Sequence, residues 1–196
     1  MSSHCDTVMI KDLFGLISLV ILRPEQAWRL VKSRYTKPSD ALSEKIFYPA
    51  LGLLCLVAFV GSLLNAPGID FMAAIKSSVL YLMTGLSAFY LNLIAMPVIA
   101  SKVPGFRASR HRWEAFILHA YAPIYLLTIL FLIFPQLILL RILMLYTVYI
   151  VWIGCLQFWA LPESRLFSAT AIFSILIFLF SSGVMRILQM LPVFSN

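Results

Sequence analysis

Three amide or imidazole side chains stand where the sequence around them is apolar: Asn92, His119 and Gln157 each lie inside a long charge-free stretch. A polar group facing lipid loses its hydrogen bonds, so each is expected to turn inward and bond to another helix. Tyr81, Gly85, Ala88 and Asn92 are spaced by four, three and four, which puts them on one helical stripe of small and polar residues. Ala115, His119 and Pro123 form a second stripe. Two readings follow: a polar cavity or substrate path near Asn92 and His119, or hydrogen bonds that only hold helices together. The second is favoured, because no charge and no Gly/Pro-broken pair of half-helices accompanies these residues as transporter sites show. Pro97 and Pro123 lack the N–H that their helices need, so both are expected to kink them.

Catalytic and metal-binding patterns are absent from the sequence. There is no Gly-x-Ser-x-Gly or Gly-x-Ser-Gly for an intramembrane nucleophile, and no His-Glu-x-x-His for zinc. The charge-free stretches hold no Asp or Glu, which removes paired-carboxylate chemistry and proton relays from the bilayer. Cys5, Cys55 and Cys155 are scattered singly, without metal spacing, and read as reduced thiols. Ser2-Ser3-His4 offers a square-planar Cu(II) or Ni(II) set if Met1 is removed, a pattern common by chance. The expectation is a protein that is not an enzyme and uses no cofactor and no metal.

What positions the polar residues is a set of membrane helices. A chain of 196 residues that is 62% hydrophobic, 12% charged and of mean hydropathy +0.95 has more apolar surface than a globule of this size hides from water. Charges bound five runs: Lys45 to Asp70, Lys76 to Lys102, Glu114 to Arg141, Arg141 to Glu163, and Arg165 to Arg186. They enclose 24, 25, 26, 21 and 20 charge-free residues, each reaching the roughly 20 that a helix needs to cross ~30 Å of hydrocarbon. Continuous apolar content such as Leu126 to Phe134, without alternation, favours helices over barrel strands. The spans are placed near 47–65, 77–101, 115–134, 139–161 and 167–186, in an all-α polytopic bundle with turns at Asn65-Ala66-Pro67-Gly68, Phe134-Pro135-Gln136 and Leu161-Pro162-Glu163-Ser164.

Twelve Lys and Arg fall on one side of these spans, in the N-terminal segment, the 102–114 loop and at Arg165; three, Lys76, Arg141 and Arg186, fall on the other. Cytoplasmic loops are the basic ones, which predicts a cytoplasmic N-terminus and an external C-terminus in a plasma or inner membrane. The net charge of +7 is then topology and contact with anionic lipid rather than nucleic-acid binding. Arg141, at the outer edge, is expected to snorkel to headgroups.

Residues 1–45 form a separate cytoplasmic segment in this reading, with 46–196 as the five-helix domain. Leu13 to Leu22 is too short to span and is closed by Arg23-Pro24, so it is expected to lie in the interface. A signal peptide is disfavoured by Asp12 and by the lack of a small-x-small cleavage site. Pro24 suits the first turn of a helix in which Glu25 pairs with Arg29. Trp28, Arg29, Lys32, Arg34 and Lys37 are the expected lipid-headgroup contacts of an amphipathic collar.

Arg23-Pro24-Glu25-Gln26-Ala27-Trp28-Arg29-Leu30-Val31, Tyr48-Pro49 opening the first span, Phe59-Val60-Gly61 closing it and Tyr121-Ala122-Pro123 in the third occur in an order that resembles the prokaryotic branch of the Yip-domain family of Ypt-interacting proteins. The resemblance implies a five-span fold with a cytoplasmic N-terminus. In eukaryotic members it also implies contact with Rab-type GTPases, but the Asp-Leu-Tyr-Gly-Pro signature does not occur near the first span here. The expected function is a non-enzymatic membrane scaffold or membrane-organising protein whose partners are the bilayer, anionic lipids and another membrane protein or a second copy of itself. The alternative is a small transporter or channel component with a polar site near Asn92 and His119.

Overall fold

The computed structural model describes residues 19–34, 46–65, 68–101, 109–136 and 139–194. Long apolar runs satisfy their own backbone groups only as helices, which hydrocarbon requires. The described residues accordingly form α1 Pro24–Arg34, α2 Tyr48–Asn65, α3 Phe71–Ala100, α4 Arg110–Ile133, α5 Leu139–Leu143, α6 Tyr146–Gln157 and α7 Glu163–Gln189, with no strand among them. The chain is an all-α polytopic membrane protein, and α2, α3, α4 and α7 are each long and apolar enough to cross a bilayer. Leu56, Ile94, Ile175 and Leu179 are exposed on the outside of the bundle, whereas Asn92, His119, Thr147, Thr170 and Ser174 are buried inside it.

α3 packs between α2 and α7, and α4 packs against α2, α3 and α6. The Asp70 carboxylate accepts from the Ala73 N–H at 3.0 Å and caps the start of α3. α2 and α4 meet closely at Gly61, where a Cβ would lie 2.6 Å from the Leu132 carbonyl oxygen. Asn65 Nδ2 donates to the carbonyls of Gly61 at 2.7 Å and Leu132 at 3.2 Å, tying these two helix ends together.

The fourth expected span, 139–161, is not one helix. It is divided into α5 and α6, of 5 and 12 residues, and helix ends at Gln157. Between them the bonding tightens to i→i−3, from Met144 to Arg141, Leu145 to Ile142, Thr147 to Met144 and Val148 to Leu145. No Gly or Pro lies between Arg141 and Ile153, so charge spacing alone could not reveal the break. At the other end Ala160 takes φ 52, and its neighbour Leu161 donates back to the Cys155 carbonyl, the reversal that closes α6.

The N-terminal helix is the second correction. Trp28 was expected at headgroup level, but it is 1% exposed and belongs to the same core as the bundle, together with Val20, Ala27 and Val31. Its ring centroid lies 5.3 Å from Phe116 and 5.7 Å from both His119 and Phe158, and Nε1 donates to the Ile150 carbonyl at 3.0 Å. Gly154 makes the slot: a Cβ there would lie 2.7 Å from Trp28 Cζ2 and 2.9 Å from Phe116. Tyr146 Oη donates to the Ile21 carbonyl at 2.8 Å, and Lys32 Nζ to the Gln157 carbonyl at 3.2 Å. Ile21, Trp28 and Lys32 thus meet Tyr146, Ile150 and Gln157 in the same order, and α1 runs alongside α6 in the same direction. The indole N–H could not be satisfied in lipid but is satisfied here, while its ring joins an aromatic cluster.

Rigid ring atoms border Gly154, so Gly154→Val is expected to undock α1 while leaving the long helices in place. In detergent-solubilised protein, trypsin cleavage after Arg29 should accelerate by about tenfold or more, corresponding to roughly 1.4 kcal/mol of lost docking. Unchanged cleavage would mean that the slot is not what holds α1.

Candidate functional site

The structure distributes the three sequence-predicted polar residues to different places. Asn92, fully buried on α3, donates through Nδ2 to its own Ala88 carbonyl at 2.9 Å and to the Tyr121 hydroxyl on α4 at 2.8 Å. His119, two residues before Tyr121 and therefore on nearly the opposite face of α4, stands beside the Trp28 ring. Its Nδ1 lies 2.7 Å from the Ala115 carbonyl, which can only accept, so Nδ1 carries the proton. Gln157 sits at the end of α6, where its backbone carbonyl rather than its amide meets Lys32. Asn92 and His119 therefore do not share a site. Pro97 and Pro123 lie inside unbroken helices α3 and α4.

Around Asn92 a different set comes together. Ser181 on α7 donates to the Tyr121 hydroxyl at 3.1 Å, so one phenol oxygen joins α3, α4 and α7. Tyr121 lines a cavity of about 400 Å³ whose walls also include Leu54 of α2, Gly85 and Ala88 of α3, Tyr125 of α4 and Phe178 of α7. Arg141 and Met144, on either side of the last turn before the break between α5 and α6, complete its wall. Tyr81, Gly85 and Ala88 of the first stripe line the cavity, and Asn92 continues that stripe one turn deeper.

Most of the cavity's hydroxyls are engaged with protein atoms. Thr84 donates to Met185 Sδ at 3.3 Å, Thr128 to the Ile124 carbonyl at 2.7 Å, and Ser182 to the Phe178 carbonyl. The Tyr125 hydroxyl differs: it is buried and meets no hydrogen-bonding atom among the described residues. At the rim, the exposed Arg141 holds its guanidinium 4.7 Å from the Phe131 ring centroid, and no acidic side chain among the described residues pairs with it. The sequence reading quoted Tyr121 only within the Tyr121-Ala122-Pro123 resemblance and missed Tyr125 and Ser181, because tyrosine and serine are unremarkable in apolar runs. The available signal was the pair Ser181-Ser182, the one place in the last span where two hydroxyls adjoin.

Of the expected headgroup contacts, Arg29 and Lys32 are exposed on α1, Arg34 closes that helix, and Lys37 lies outside the described residues. The same end of the bundle carries Arg110, Arg112 and Arg165. Arg112 reaches inward, with its guanidinium 5.3 Å and 5.0 Å from the Phe158 and Trp159 rings and a 3.4 Å hydrogen bond to the Phe158 carbonyl. No group of three or more potential metal ligands occurs among the described residues.

The two tyrosines should respond oppositely to loss of their hydroxyls. Tyr121→Phe strips an acceptor from both Asn92 and Ser181 and is expected to lower unfolding stability in detergent by about 1–2 kcal/mol. Tyr125→Phe removes a hydroxyl that has no partner among the described residues, and is expected to be neutral or to raise stability by up to ~1 kcal/mol. Equal losses in both variants would show that the hydrogen-bond pattern around the cavity is not the one described. No protein-family model, no curated protein and no solved structure matches this chain.

Proposed function

We propose that the chain is a non-enzymatic membrane-organising protein, of the scaffold type implied by the Yip-domain resemblance, with a cytoplasmic N-terminus in a plasma or inner membrane. The observation that carries this reading is the way α1 is held. Trp28 fixes one face of α1 in the aromatic core, so Glu25, Arg29 and Lys32 form a charged, exposed face beside the apolar α6. From Glu25 to Lys32 that face rises about 10 Å along the helix. Charged groups are expensive against hydrocarbon, so headgroups and water are drawn along this side of the bundle. Arg110 and Arg165, exposed at the same end, extend the attraction to anionic lipids. The alternative of a small transporter or channel is not favoured by the arrangement, since Asn92 turns to Tyr121 while His119 turns to Trp28.

The test is lipid distribution around the full-length chain in vesicles. Energy transfer from the protein's tryptophans to a labelled anionic lipid is expected to exceed transfer to a labelled neutral one. The excess should fall with salt, as the Debye length shortens from ~10 Å at 0.1 M, and in the combined variant Arg29→Gln, Lys32→Gln, Arg110→Gln, Arg165→Gln. Equal transfer to both lipids, or a saturable protein-dependent solute flux, would replace the organising reading with the transporter one.

The orientation has its own check. A reporter fused after Asn196 is expected to read as external and one inserted in the 102–114 loop as cytoplasmic. A cytoplasmic C-terminus would invert the arrangement or remove a crossing.

A further inference from the structure

We infer that the cavity beneath the α5–α6 break binds an amphipathic organic acid: an oxyanion at one end, an apolar middle and a hydrogen-bond acceptor at the other. Three separate observations define that ligand. The rim holds Arg141, whose planar guanidinium suits a carboxylate or phosphate and has no acidic partner among the described residues. The walls are apolar through Leu54, Ala88, Ile124, Phe131 and Phe178. The Tyr125 side chain also lines the cavity, and its buried hydroxyl meets no hydrogen-bonding atom among the described residues, an arrangement that leaves a donor for something the cavity takes up.

Size narrows the class. A volume of about 400 Å³ lies in the lower part of the ~300–1,000 Å³ range of small-molecule pockets and is too small for a two-chain phospholipid. A single-chain acid that also carries a hydroxyl or carbonyl along its tail matches both polar groups at once. The break between α5 and α6 lines the same cavity through Arg141 and Met144, and a 3₁₀ stretch within a span is a place where a helix can adjust around an occupant. This inference stands apart from the lipid-organising reading: loss of anionic-lipid enrichment leaves it intact, and its own failure leaves that reading untouched.

Full-length protein in nanodiscs of zwitterionic lipid, with empty nanodiscs as the blank, is to be titrated with three probes by equilibrium dialysis. ω-Hydroxydecanoate carries both polar ends, decanoate lacks the distal one and decanol lacks the acid; dodecyl phosphate in a fourth arm tells a phosphate preference from a carboxylate one. Saturable one-to-one binding is expected, tightest for ω-hydroxydecanoate. Arg141→Gln should weaken every anionic probe by about tenfold or more and leave decanol unchanged. Tyr125→Phe, which keeps the fold, should bring ω-hydroxydecanoate to the level of decanoate and leave decanoate unchanged. Either anionic head binding best supports the site and names its acid. Overturning results are equal binding of acids and decanol, acid binding indifferent to Arg141→Gln, or decanoate binding as tightly as ω-hydroxydecanoate to the unaltered chain.

Discussion

Hydrocarbon offers no partner to a hydrogen-bonding group, and almost every feature of this bundle answers that constraint. It selects helices for the backbone and sends Leu56, Ile94 and Ile175 outward, but its stronger effect is on the few polar side chains. Asn92, Tyr121 and Ser181 come from three different helices and meet at one phenol oxygen. Each could face inward alone, but only their mutual rotation brings the Asn92 amide N–H and the Ser181 hydroxyl to the same Tyr121 oxygen. The orientation of α3, α4 and α7 about their long axes is therefore set by hydrogen bonds, while their closeness is set by small residues such as Gly61.

Aromatic packing solves a different part of the problem at the basic end. Trp28, Phe116, Phe158, Trp113, Trp159 and Phe173 form one cluster, with Trp113 and Trp159 4.5 Å apart and the Arg112 guanidinium over its edge. Edge and tilted ring contacts of this kind contribute roughly 0.5–1.5 kcal/mol each beyond buried area. They let an amphipathic helix with four charged residues between Arg23 and Lys32 become part of a membrane bundle instead of floating beside it. The charged face is then a fixed feature of the lateral surface.

Much of this was legible in the sequence, and the failures have physical causes. Charges used as boundaries located α2, α3, α4 and α7 because the penalty for a charge in lipid is large and local. The same reasoning drew 139–161 as one unbroken helix, since a 3₁₀ turn at Met144 and Leu145 changes no charge and needs no Gly or Pro. Asn92 was identified as inward-facing for the right reason. Its supposed companion His119 was not a companion, because periodicity along one helix cannot say which neighbour occupies each face of the next. Trp28 was misplaced for a related reason: tryptophan at a lipid interface and tryptophan in a protein slot look alike until Gly154, more than a hundred residues away, is seen beneath it.

That distance has a consequence for biogenesis. Trp28 and the carbonyl that receives its N–H are 122 residues apart, and the slot is complete only once α6 has left the ribosome. At about 5–20 residues per second, roughly 6 to 24 seconds separate synthesis of the tryptophan from synthesis of its acceptor. Throughout that interval α1 has no place in the bundle, and its charges keep it at the membrane surface while α2, α3 and α4 are threaded into the bilayer. Docking of α1 is thus a late step in assembly, and a chain whose α6 has failed to insert is recognisable by an exposed indole.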